Sequence, residues 1–240
     1  MKFRNWILGA ALAAIQPCMF GAMNSSYDDQ SSMQQNQQPQ MGNAEPFEGI
    51  DLNAGVGYSG VTLKGTRSGT KPLSTTYYGG DGVAVQVKVG GNYAFADMWL
   101  VGLEGYGQYN SAETKNRFFE TATSTTATVR NFKMEWNLGL DVRLGFAPVQ
   151  NNLIFVYAGP DWGYWDFVYN TPGLTSSYKD WRVGGLAGAG FEQKICDNWF
   201  VRSTFDYRWY GKKTLTYPNG ETQTLEPRMA TALFMIGYVF

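Results

Sequence analysis

The sequence predicts an all-β chain: an eight-stranded antiparallel up-and-down transmembrane β-barrel with short periplasmic turns and long extracellular loops. Three observations carry this reading. First, the chain ends in an alternating strand, with Ala232, Phe234, Ile236, Tyr238 and Phe240 on one face and Thr231, Leu233, Met235, Gly237 and Val239 on the other. A last strand with a continuous apolar face and a terminal aromatic is what a membrane barrel needs to close on its first strand. Second, aromatic and charged residues each make up 16% of the chain, against ~25% charged in an ordinary soluble domain. The mean hydropathy is nevertheless −0.29, so the apolar residues are diluted by alternation, as in membrane strands. Third, the connections between periodic segments alternate between long and short.

The elements follow in order. Met1–Met23 reads as a cleavable signal peptide, with Lys2 and Arg4 before the apolar Trp6–Ile15 and the small Gly21 and Ala22 near the cut. The apolar run is about half the ~20 residues of a spanning helix. Pro17 directly before Cys18 argues against acylation of that cysteine. Asn24–Pro46 is Gln/Ser-rich and reads as a disordered periplasmic tail, because it has too little apolar surface to fold alone. From Phe47 to Phe240 the pattern is that of the barrel. The expected strands are Gly49–Gly60, Gly82–Tyr93, Met98–Tyr109, Asn131–Phe146, Leu153–Tyr164, Trp181–Gln193, Trp199–Tyr210 and Arg228–Phe240. The fourth has the clearest alternation, with Phe132, Met134, Trp136, Leu138, Leu140, Val142, Leu144 and Phe146 expected on one unbroken outer face. Thr62–Asp81, Ser111–Arg130, Asn170–Asp180 and Gly211–Pro227 are long connections. Ala94–Asp97, Ala147–Asn152 and Lys194–Asn198 are short. This alternation puts both chain ends on the short-turn side. Pro218-Asn219-Gly220 is a hairpin signal, so the last two strands are expected to continue above the membrane as a ribbon.

The inner faces carry charges of both signs: Glu104, Lys133, Glu135, Asp141, Arg143, Arg182, Glu192, Arg202, Asp206 and Arg208, with Lys88, Asp51 and Asp161 nearby. A selective pore is one reading. A packed salt-bridge core is the other, and geometry favours it, because eight strands leave room for little besides side chains. Aromatics form two expected belts: Phe95, Trp99, Phe146, Trp199, Tyr238 and Phe240 toward the turns, and Tyr58, Tyr109, Phe132, Trp162, Trp181 and Trp209 toward the loops. Gly184–Gly190 lacks the Lys-Ser/Thr of a phosphate loop and reads as small residues beside bulky lumen groups. Phe118-Phe119 reads either as a contact site or as a pair folded onto its own loop. Cys196 is expected as a lone, partly exposed thiol.

Several function classes fall away. There is no histidine, so the usual general base and commonest metal ligand are missing. Two distant cysteines make no thiolate zinc site. A net charge of −1 gives no footprint for nucleic acid. No cofactor and no catalytic or metal-binding residue is expected.

Phe47-Glu48-Gly49 followed by Gly55-Val56-Gly57-Tyr58 resembles the opening strand of the small outer-membrane β-barrel proteins, the opacity-type and OmpA-like barrels of Gram-negative bacteria. Gly90-Gly91-Asn92-Tyr93, Val101-Gly102-Leu103-Glu104, Val142–Phe146, Tyr157-Ala158-Gly159, Gly188–Glu192, Asp197-Asn198-Trp199 and Phe205–Arg208 are similar to phrases of that family in the same order. The resemblance implies a cell outer-membrane location among lipid and lipopolysaccharide. It also implies that Tyr238 and Phe240 form the signal read by the outer-membrane assembly machinery, and that the loops meet host or environmental ligands. Family members include surface antigens, adhesins, envelope-stabilising proteins, haem binders and small pores. No peptidoglycan-binding domain follows the barrel, so the OmpA-type tether is not expected. The function expected first is a non-enzymatic surface barrel serving envelope integrity, antigenic display or adhesion. The alternative is a narrow porin-like channel for ions or small solutes. A lipid hydrolase or protease ranks third, since such designs use a histidine.

Overall fold

A computed structural model describes residues 42–68, 74–119, 127–171, 174–216 and 222–240. It contains ten strands: β1 (Gly49–Ser68), β2 (Ser74–Ala96), β3 (Trp99–Asn110), β4 (Glu113–Phe119), β5 (Ala127–Val149), β6 (Asn152–Thr171), β7 (Leu174–Lys194), β8 (Trp199–Tyr210), β9 (Lys213–Thr216) and β10 (Thr222–Val239). Two residues separate β3 from β4 and β8 from β9, so each pair makes one interrupted stave, and the ring has eight. Every pairing is antiparallel. The ring closes where β10 meets β1, from Asp51↔Val239 to Ser68↔Thr222.

Closure is tied at the periplasmic end. The Phe240 N–H donates to the Ile50 carbonyl at 2.8 Å and the Val239 N–H to the Asn198 carbonyl at 2.9 Å. Gly49 enters β1 with φ +124°, and a Cβ there would sit 2.7 Å from the Phe240 carbonyl oxygen. Only glycine serves where the first strand starts against the last residue.

The expected long loops are largely strand. β5 runs for 23 residues and β6 for 20, roughly twice the ~9–11 needed to cross a bilayer. The surplus stands above the membrane as paired hairpins: β1 with β2 up to Arg67↔Ser74, β6 with β7 up to Thr171↔Leu174, and β9 with β10 up to Thr216↔Thr222. Alternation has the opposite sense there: the outer face meets water, while Val61, Leu63, Trp165, Phe167 and Leu225 are buried on the inner one. The Asn-Gly turn and the leader lie outside the described residues.

Along the membrane stretch the pleat sorts the side chains as the period demands. Val83, Val85, Val87, Val89, Leu103, Leu138, Leu140, Val142, Ile154, Val156 and Ile236 face out, while Met235, Leu233, Thr231 and Val239 face in. β5 departs from its expected face. Its register with β6 slips between Met134 and Trp136, placing a β-bulge at Glu135. The extra residue inverts the alternation, so Phe132 and Met134 point into the barrel, 4% and 0% exposed, while Trp136 points out. Phe132 therefore leaves the upper aromatic belt. Tyr58, Tyr109, Trp181 and Trp209 remain exposed on its loop side, and Phe95, Trp99, Trp199 and Phe240 on the turn side.

Folded structure also starts earlier than the periodicity indicates. A 3-10 turn, Glu45–Phe47, precedes β1. The Ala44 N–H donates to the Asp97 carbonyl at 2.7 Å, and Ala44 and Phe47 are fully buried. The end of the polar segment thus packs on the barrel's turn side.

Candidate functional site

The distinctive chemistry lies inside the barrel and is stacked in layers. At the periplasmic end, Ala44 and Phe47 join Leu100, Ala147, Leu153, Phe155, Tyr157, Leu186 and Tyr106 in one apolar cluster. Lys194 stands 5.9 Å from the Phe47 ring. At the extracellular end Val61, Leu63, Ala112, Phe132, Met134, Trp165, Phe167, Tyr210, Leu225 and Met229 form another. Charged and amide side chains fill the space between.

The lower polar layer centres on Glu104. Its carboxylate accepts from Lys88 Nζ at 3.2 Å, Arg143 Nη1 at 3.0 Å and Arg202 Nη1 at 2.8 Å. Glu192 accepts from Arg143 at 3.1 Å and Arg202 at 2.9 Å, and Lys88 also reaches Asp141 at 2.9 Å. Asp51 lies 3.6 Å from Arg202 and accepts from Asn53 at 2.7 Å and Asn92 at 2.5 Å. The upper layer centres on Asp161, which accepts from the hydroxyls of Tyr106 and Tyr210 and from Asn137. Arg208 pairs with Asp206 at 3.0 Å and donates to Gln108 at 2.6 Å. Gln86, Gln108, Asn110 and Asn137 continue the chain of amides. Six carboxylates face four cations, and the two with the most distant cation, Asp51 and Asp161, each accept from at least two neutral donors.

The structure brings together Glu104, Asp141, Arg143, Glu192, Arg202, Asp206 and Arg208 with Lys88, Asp51 and Asp161, each at most 2% exposed. It places three of the sequence-selected residues elsewhere. Lys133 and Glu135 pair with each other at 2.7 Å on the half-exposed side of the bulge. Arg182 sits above the network, donating to the Gly211 carbonyl at 3.2 Å.

Sequence reasoning missed the apolar stoppers and the way they fit. Tyr106, Phe155, Tyr157 and Phe200 each lie opposite a cross-strand glycine: Gly139, Gly190, Gly188 and Gly237. A Cβ at Gly188 would fall 2.5 Å from Tyr157 Cζ, and one at Gly237 2.2 Å from Phe200 Cζ. Here the Gly-rich run of β7 is the floor on which Tyr157 and Phe155 rest. The signal was present in glycines alternating on the inward face, but their partners depend on register. Cys196 also differs from expectation. No described cysteine is free. The other cysteine, Cys18, lies outside the described residues, as does the question of its acylation.

Among the described residues no group of His, Cys, Asp and Glu side chains is placed to hold a metal ion, and no helix is long and apolar enough to cross a membrane. The interior can hold the wall together through these pairs, while buried atoms such as Arg143 Nη2, Asp141 Oδ1 and Thr231 Oγ1 have no protein partner and are the places where internal water would bind.

The family model described as outer membrane protein beta-barrel domain matches residues 23–240. Among solved structures the chain is similar to Ail, the attachment invasion locus protein of Yersinia pestis, at 16% identity over 78% of this chain and 99% of that one, with TM-score 0.36. It is similar to the outer membrane protein OprG from Pseudomonas aeruginosa, at 11% identity over 80% and 97%, with TM-score 0.48. It is also similar to the outer membrane protease OmpT from Escherichia coli, at 10% identity over 80% and 97%, with TM-score 0.44. No curated protein matches.

Proposed function

The chain belongs to the outer membrane protein beta-barrel domain family and resides in the Gram-negative outer membrane, and from that premise we propose that it is a non-enzymatic, non-conducting surface barrel. Its interior serves as a structural plug, and its task lies in the hairpins raised above the bilayer. One observation carries this reading: ten inward charges, each at most 2% exposed, are packed between apolar layers at both ends. Water and ions need a polar path, and both ends of this one are closed by aromatic and aliphatic groups. Buried charges of this kind persist only when paired, so opening the path would break several pairs at once.

On this reading the hairpins carry adhesion, display or envelope contacts with host or environmental ligands. Met1–Met23 serves as an export leader, and Tyr238 with Phe240 as the mark read by the assembly machinery. Shortening the β1–β2 and β6–β7 hairpins to the membrane surface is expected to abolish binding of expressing cells to a target surface while leaving heat-shifted gel mobility intact. Binding that survives the deletion would contradict the proposal. The porin-like alternative makes the opposite prediction for ion current, which a planar bilayer measures directly.

A further inference from the structure

Above the bilayer the wall divides. β7 and β8 pair only up to Gly184↔Tyr210, and β9 pairs with β10, so among the described residues a seam without a ladder parts β7 from β9. On its far side β9, β10, β1 and β2 run on as one sheet. The foot of this sheet carries an uneven charge cluster on its outer face. Lys64 of β1 stands opposite Glu226 of β10 in the ladder, and Thr62 opposite Arg228. Lys212 Nζ lies 2.8 Å from Glu226, whereas Arg228 Nη2 lies 3.9 Å from it, beyond hydrogen-bond reach. Three cations therefore surround one carboxylate. Asp81 stands at the far edge, opposite Gly60, and is hydrogen-bonded to the Tyr58 hydroxyl. With Asp81 counted, one positive charge remains in surplus. On the opposite wall the charges are matched, Lys133 with Glu135 at 2.7 Å and Lys179 with Asp166 at 3.4 Å.

The cluster borders a recess. Gly60 and Gly79 lie on the same outer face, and a Cβ at either would meet nothing within 4 Å. The exposed Thr62 lies between Arg228 and Gly79 across the ladder. Tyr58 is exposed below the recess, Tyr77 above it and Trp209 beside it. Trp209 stands opposite Arg228 in the ladder. Interfacial aromatics of this kind sit at head-group depth. Arg228 is therefore level with the lipid phosphates, and Lys64 stands about 7 Å farther along the strand direction.

We propose that this wall binds a phosphate monoester of an outer-leaflet lipid, with Arg228, Lys64 and the Thr62 hydroxyl as its donors. Lys64 and Arg228 are diagonal neighbours across Thr62, close enough to grip one group. A phosphate monoester carries about −1.5 to −2 charges near neutral pH and three acceptor oxygens, which suits two cations and a hydroxyl. A phosphodiester offers a single charge. Lys212 stays with Glu226. The site lies on the outer wall and is independent of whether the lumen conducts.

The test titrates the full chain in mild non-ionic detergent with lipid A, whose head group bears phosphate monoesters, and counts bound lipid per chain by native mass spectrometry. Saturable binding is expected, with dephosphorylated lipid A and the diester phosphatidylglycerol each about tenfold weaker, the scale of a lost charge-assisted contact. Arg228→Gln combined with Lys64→Gln should weaken lipid A binding by a similar factor. Gly79→Leu, which fills the recess without altering charge, should also weaken it. Glu226→Gln, which removes the competing carboxylate, should strengthen it roughly threefold on the same scale. Lys133→Gln on the opposite wall should leave it unchanged. Retained heat-shifted mobility shows that each variant is folded. Equal binding of dephosphorylated lipid A or of phosphatidylglycerol would overturn the assignment. So would displacement of the lipid by an equal concentration of inorganic phosphate, full binding in the double variant or in Gly79→Leu, or weaker binding in Glu226→Gln.

Discussion

Glu104 is the residue on which the barrel interior turns, because Lys88, Arg143 and Arg202 from three other staves converge on it. Glu104→Gln keeps the shape and removes the charge that Lys88, Arg143 and Arg202 share. The expected cost is about 3–5 kcal/mol, read as a lower urea midpoint for unfolding from detergent. Lys133→Gln, which breaks a half-exposed pair on the far side of the bulge, is expected to change the same midpoint by less than about 0.5 kcal/mol. Gly188 makes a packing prediction of a different kind. Its inward face lies under Tyr157, so Gly188→Val must lift the ring or bend the wall, at about 1–3 kcal/mol. Gly91, where a Cβ would meet only open space, should accept Ala with little change in the same assay.

At the scale of elements, the seam between β7 and β9 links a charge pair to local order. The hydrogen bond from Lys213 holds the Asp180 carboxyl below its ordinary value. The folded form therefore prefers the charged state, and its stabilisation is present above the unfolded pKa near 3.8. It is lost as pH falls through the lowered folded value. Amide exchange of Leu174–Val183, compared between acidic and neutral pH against Asp180→Asn, checks this. Protection of β7 above Gly184 should fall in acid in the native chain only. The staves within the bilayer were legible from alternation, because lipid outside and polar groups inside enforce a period of two. Three features were not. The hairpins above the membrane invert the pattern, with water on the outer face and Val61, Leu63, Trp165 and Phe167 buried on the inner one. Glu135 hides a bulge within sixteen alternating residues, since a slip of register leaves no mark in composition. Phe47 seals the lower mouth from a 3-10 turn just ahead of the first strand, and Leu153, Phe155 and Tyr157 seal it from the inward face of a strand whose outer face is equally apolar. The charge set was legible as inward residues, but its partition into a Glu104 layer and an Asp161 layer depends on how the staves are offset.

For the whole molecule, closure and plugging are separate achievements. Closure depends on β10 meeting β1, with Phe240 hydrogen-bonded to Ile50 and its ring 71% exposed at the lower rim. Because that ring packs mainly on Tyr238, at 5.0 Å, its removal costs the folded barrel little. If Phe240 is the assembly mark, its deletion should reduce the inserted fraction in cells several-fold, while the purified variant refolds in detergent with the native urea midpoint. Plugging depends on the layers between the mouths, and it is the property on which the proposed function stands. Planar-bilayer current at matched, verified insertion of the full chain tests it most directly. A sealed lumen predicts silence for the native protein, with steps emerging on deletion of residues 42–47 together with Glu104→Gln. Steady single-channel steps from the native protein that change with Glu104→Gln alone would contradict it and establish a conducting barrel.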